Sequence, residues 1–176
     1  LKEVAERHAG SELAASALLD LGRIAEVSDT AGDPADPARA AKYYEEVRAD
    51  YPATAMSARA TLFLAQLKAQ SLNEAQVAAA IALLREEMEA NPSPRWKSVA
   101  AYYIGHLYRY YLDDAEASLP FFQITREIGY PNEGTEDRQL WQFSRIALEA
   151  GAEDIAADVL MQLVDNYPRS SFRWVA

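Results

Sequence analysis

Cysteine is missing altogether from the 176 residues. Its absence removes disulfides, zinc–thiolate sites and thiol nucleophiles from consideration. It suits an oxidising envelope compartment, although many cytosolic chains also lack it. Histidine occurs twice, at His8 and His106, and lysine four times. Seventeen basic residues stand against 27 acidic ones, a net charge of −10. General nucleic-acid binding needs the opposite balance, so no nucleic-acid partner is expected. The longest apolar run, Val77 to Leu84, is far too short to cross a bilayer, and direct membrane insertion is not expected. No secretory signal is recognisable. The chain opens on Leu1 rather than Met, which leads us to expect an upstream segment. HExxH, P-loop, GxGxxG and GxSxG patterns are all absent. No catalytic residue, metal or cofactor is therefore expected, and the chain does not read as an enzyme.

Apolar residues make up half the chain, alanine alone supplies 34 residues, and glycine (7) and proline (8) are sparse. Alanine is the best helix former and lets helices approach closely. Both properties point to packed helices.

One phrase recurs along the chain. It reads His8-Ala9-Gly10-Ser11, Tyr51-Pro52-Ala53-Thr54, Asn91-Pro92-Ser93-Pro94, Tyr130-Pro131-Asn132-Glu133 and Tyr167-Pro168-Arg169-Ser170, at intervals of 43, 40, 39 and 37 residues. Eight residues after the proline position stand Ala17, Ala60, Ala100, Gln139 and Ala176. Four further on are Leu21, Leu64, Ile104 and Phe143, each followed by a small residue: Gly22, Ala65, Gly105, Ser144. Proline ends one helix, and Ser11 and Thr54 are placed to cap the next. The small residues permit close helix contact, and the large neighbours fill the space beside it.

A second helix precedes each proline. Tyr43, Tyr44 and Val47 share offsets with Val159, Leu160 and Leu163, and Leu83 and Leu84 hold two of the three, Glu87 departing from the last. Phe121 and Phe122 are one residue out, implying an insertion near Gly129. First (A) helices are predicted over 11–27, 54–70, 94–112, 133–150 and from 170 to the end. Second (B) helices are predicted over 37–50, 74–90, 114–128 and 152–166. Asp36 and Asn73 read as N-caps and Gly151 as a helix stop. Residues 28–36 form the one long loop, and Pro120 should kink its helix or delay its start.

These residues resemble the tetratricopeptide repeat family over nearly the whole chain. The matching positions are the helix A small residues Gly22, Ala65, Gly105 and Ser144, the helix B residues Ala40, Ala80 and Ala156, and the closing prolines Pro52, Pro92, Pro131 and Pro168. The repeats are longer than the usual 34 residues or so. The Tyr-Pro phrase is similar to the variety common in bacterial envelope proteins, among them the outer-membrane assembly lipoprotein and the coordinator of the Tol-Pal system. The resemblance implies an all-α, right-handed superhelical solenoid of antiparallel helix pairs. Residues 1–176 would form one array of about four repeats with partial repeats at both ends, part of a longer solenoid. It also implies a periplasmic or cell-envelope location, with the cytoplasm as alternative.

Carried over by register, the groove-lining positions are Arg23 and Glu26, then Arg59 and Gln66, then Tyr102, His106, Arg109 and Tyr110, then Arg138, Trp141, Arg145 and Glu149. Five arginines face two glutamates. Arg, Tyr and Trp are enriched at interface hot spots, and Arg grips carboxylates bidentately. The implied partner is a protein or peptide segment, acidic or aromatic-bearing. Self-association through open repeat ends, or an accessory role beside a distant catalytic domain, are the alternatives. His8 is expected to pack at a helix end and His106 to be a surface or groove residue. The Glu86, Glu87, Glu89 run and the Asp113-Asp114 pair read as a solvated face and a helix cap.

Overall fold

A computed structural model describes residues 1–27 and 34–174. These residues hold nine α-helices and no strand. The chain divides into two compact units, Leu1–Asn91 and Pro92–Ala176. The division falls inside the Asn91-Pro92 phrase, so each unit contains two of the A/B pairs.

The first unit comprises α1 (Lys2–Arg7), α2 (Glu12–Glu26), α3 (Pro37–Asp50), α4 (Ala55–Ala69) and α5 (Glu74–Ala90). From α2 to α5, each start has the capping group that its sequence offers. Ser11 accepts from the Ala14 N–H, Asp36 from Arg39, Thr54 from Ser57, and Asn73 from both Ala75 and Gln76. These bonds satisfy donors that a helix's first turn leaves free. Consecutive helices pack on one another, α2 on α3, α3 on α4 and α4 on α5, and α2 also touches α4. The core contains Leu18, Leu19, Ala40, Tyr44, Val47, Ala60 and Leu64.

A polar bridge runs through this core. Thr61 is fully buried; its Oγ1 accepts from Arg48 Nε (2.9 Å) and donates to Glu87 Oε2 (3.1 Å). Glu87 also accepts from the Asn91 side chain (2.9 Å). Glu87 occupies a core register position because Thr61 of α4 and Asn91 at the end of its own helix donate to its carboxylate. Thr61→Val is expected to lower stability by about 1–3 kcal/mol, since both charged groups lose their shared hydroxyl. Urea unfolding checks this; an unchanged midpoint would mean that the bridge contributes nothing.

The second unit comprises α6 (Pro94–Tyr111), α7 (Ala115–Ile128), α8 (Glu136–Glu149), α9 (Glu153–Asn166) and a 3₁₀ turn, Ser171–Trp174. Asp114 caps α7, and Asp113 pairs with Arg109. The acidic pair thus divides into a cap and a surface ion pair. Pro120 lies inside α7, whose start is not delayed. The extra residue near Gly129 is accommodated at the end of α7, where the Gly129 carbonyl accepts a bond from Ser98 of α6. Helix α8 begins three residues later than expected, because Gly134 sits at φ +76°, in left-handed rather than helical conformation. Gly151, at φ +71°, stops α8. The core holds Phe122, Leu140, Phe143, Ile146, Val159 and Leu163. The helix expected after residue 170 is a 3₁₀ turn; Ala176 and most of the long loop, residues 28–33, lie outside the described residues.

In each unit one of the two predicted small positions, the glycine, meets an aromatic ring. Gly22 faces Tyr44, and Gly105 faces Phe122. Phe122 is one residue further from its proline than Tyr44 is, as the insertion near Gly129 requires.

Candidate functional site

The predicted stripe divides between the two units. In the first, Arg23 stands exposed on α2, one residue beyond Gly22. Its guanidinium lies 3.3 Å from Glu26 and 4.9 Å above the Phe63 ring of α4. Glu26 in turn accepts a bond from the Tyr44 hydroxyl at 2.8 Å. Burial, reinforced by this carboxylate, raises the pKa of the Tyr44 phenol well above its ordinary value. Arg23 and Glu26 therefore serve the fold as well as the surface. Arg59 is exposed on α4 and Gln66 half-buried. A cleft of about 670 Å³ opens between α1, α2 and α3, but Glu6, Glu46 and Asp50 dominate its charged rim. Such a rim disfavours an acidic ligand.

In the second unit, Tyr102, His106 and Tyr110 occupy successive turns of α6. The His106 ring lies 4.3 Å from Tyr102, 5.2 Å from Tyr110 and 5.4 Å from Phe122 of α7. Its Nε2 is buried without a hydrogen-bond partner among the described residues. Burial lowers the imidazole pKa to about 4, so the ring is neutral at physiological pH. His106 is thus a cluster residue rather than a surface one. His8, expected to pack, is exposed at the end of α1.

Arg109 bonds Glu149 of α8 at 2.7 Å and Asp113 at 2.9 Å, which makes it a strut from α6 to α8. On α8, Trp141 is half-buried and stacked on Phe172, with centroids 5.2 Å apart and planes at 26°. Arg138 and Arg145 flank it three residues before and four after. Both are exposed, and their side chains have no partner among the described residues. The five arginines therefore fall into two classes: Arg23 and Arg109 are engaged internally, whereas Arg59, Arg138 and Arg145 are available.

Charge separates by helix type. The A helices α2, α4, α6 and α8 carry eight basic and six acidic residues, and α4 and α6 have no acidic residue. The B helices α3, α5, α7 and α9 carry five basic and thirteen acidic residues, and α9 has no basic one. The Arg23–Glu26 and Arg109–Asp113 pairs are local, at i,i+3 and i,i+4, whereas the Phe63 ring at Arg23, the Glu149 partner of Arg109 and the stacking partner of Trp141 depend on contacts between elements and were not legible in the sequence. The Thr61–Glu87 bridge had a signal: two polar residues at core register positions of successive helices.

Among the described residues no group of three or more His, Asp or Glu is arranged to hold a metal ion, and no helix is long and apolar enough to cross a membrane. No protein-family model matches the chain, and no curated protein matches it.

Proposed function

We propose that the helix pairs belong to a right-handed, tetratricopeptide-type superhelical array whose A-helix faces bind an acidic, apolar- or aromatic-bearing segment of a partner protein. The chain is a binding scaffold in this reading and not an enzyme. The observation that carries it is the face of α8, where Arg138 and Arg145, whose side chains have no partner among the described residues, flank the Trp141 ring. This is the arrangement in a chain whose net charge is −10. A carboxylate can take a forked bond from each guanidinium, and an apolar side chain can cover the indole. The longer Tyr-Pro repeats make a periplasmic or cell-envelope location part of the same proposal, with the cytoplasm as alternative.

The test is calorimetric titration with a synthetic helical peptide bearing Glu, Leu and Glu at positions i, i+3 and i+7. The wild type should bind it, and Arg138→Glu, Arg145→Glu should weaken binding at least about tenfold, because like charges brought together at an interface cost several kcal/mol. Helical content and melting temperature should stay unchanged, since neither arginine side chain has a partner among the described residues. Arg109→Glu is unsuitable as a probe: it would set a third carboxylate beside Glu149 and Asp113. Equal binding by wild type and variant would reject the α8 face.

A further inference from the structure

Helix α9 carries on its own surface the complement of the α8 stripe. Asp158, Met161 and Asp165 follow one another at i, i+3 and i+7, the spacing of Arg138, Trp141 and Arg145. Residues seven apart on a helix lie about 10.5 Å apart along the axis and nearly on one face. Each acidic residue can therefore reach an arginine while the middle residues meet. All three α9 residues are exposed, Met161 at 65%. Asp158 bonds Arg126 at 2.6 Å yet keeps 68% of its side chain exposed, leaving it free to accept further.

We propose that a second copy of this chain is an occupant of the α8 face, docking Asp158, Met161 and Asp165 against Arg138, Trp141 and Arg145. A thioether is flexible and polarisable and fits against an indole edge, so the central contact is apolar and the flanking ones are charge-assisted. The stripes match with the helices running in either direction, because reversing one moves its central residue by a single rise. Two copies at net charge −10 repel at long range. Helix α8 also carries Glu136, Asp137 and Glu149, the last engaged by Arg109, so the approach of α9 depends on Arg138 and Arg145 themselves, and α9 has no basic residue to compete for them. The two surfaces differ, so the contact is head-to-tail: it adds copies stepwise unless the rotation closes a ring.

Sedimentation velocity on the full chain, from micromolar to near-millimolar protein, tests this. The wild type should grow in mass with concentration. Raising salt from about 0.1 M to about 1 M should dissociate it, as the screening length falls from about 10 Å to about 3 Å. Arg138→Glu, Arg145→Glu and Asp158→Arg, Asp165→Arg should each be monomeric, and mixing the two variants should restore association. Met161→Lys, at an exposed position with no folding role, should also be monomeric, which covers the case in which losing the Asp158–Arg126 pair disturbs α7 and α9. The α9 variants should bind the acidic peptide as the wild type does, so failure here is separable from failure of the peptide reading. A wild type that stays monomeric at near-millimolar concentration, a Met161→Lys variant that associates normally, or a mixture of folded variants that does not associate would overturn the proposal.

Discussion

Gly22→Ala is expected to destabilise the Leu1–Asn91 unit by roughly 1–3 kcal/mol, and Gly22→Leu by more. In an open helix the alanine change would do the reverse, adding about 1 kcal/mol, because glycine is the poorer helix former. The sign changes because a Cβ at this position would lie 2.3 Å from Tyr44 Cε1. The ring cannot withdraw. Tyr44 is fully buried, packs 5.6 Å from the Phe63 ring, and is tied to Glu26 through its hydroxyl. Gly105 is more forgiving: its Cβ would meet Phe122 at 3.0–3.1 Å, so Gly105→Ala should be mild and Gly105→Leu severe. Urea unfolding of Gly22→Ala with and without Tyr44→Leu is the check. The shorter leucine should recover much of the loss, which appears as a coupling energy in the cycle. An unfolding midpoint for Gly22→Ala at or above that of the wild type would refute the contact.

The second large effect depends on pH. The His106 imidazole titrates near 4 in the folded chain, against an ordinary value of 6.5, because burial among rings disfavours its charged form. Between those values the unfolded chain binds the proton and the folded one does not. Stability from this group is therefore complete above about pH 6.5 and is lost as the pH falls toward 4, by about 3 kcal/mol in all. His106→Phe should remove that part of the acid slope while preserving the contacts with Tyr102, Tyr110 and Phe122. It also removes a buried nitrogen that has no partner among the described residues, so stability at neutral pH should hold or rise. Carboxylates titrate in the same range, and for that reason the difference between wild type and variant is the quantity to measure. Parallel stability–pH curves for the two would show that His106 is solvated.

The helix map was legible because its signals are local. Tyr51-Pro52 and Tyr167-Pro168 end helices through proline geometry, and Ser11, Asp36, Thr54, Asn73 and Asp114 begin them through bonds to backbone within three residues. The places where boundaries moved are also local: Gly134, at positive φ, delayed α8. The candidate surface was legible only in part. The repeat register placed Arg138, Trp141 and Arg145 on one face of α8, but it equally placed Arg23 and Arg109 among the available cations. Nothing in a single helix's sequence reveals that Glu149 reaches Arg109 from the neighbouring helix, or that Phe63 lies beneath Arg23.

By itself, then, the sequence determined an all-helical chain, the positions of its helices, the close contacts at Gly22 and Gly105, and a basic bias on the A helices against an acidic one on the B helices. Each follows from backbone preference, capping, periodicity or simple count, which act over a few residues or need no geometry. Only the tertiary structure decided that Glu149 holds Arg109, that His106 is half-buried among rings and neutral, and that Thr61 carries a hydrogen-bonded bridge from Arg48 to Glu87. Those outcomes depend on distances of about 3 Å between side chains on different helices, where hydrogen bonds and ion pairs become strong or vanish.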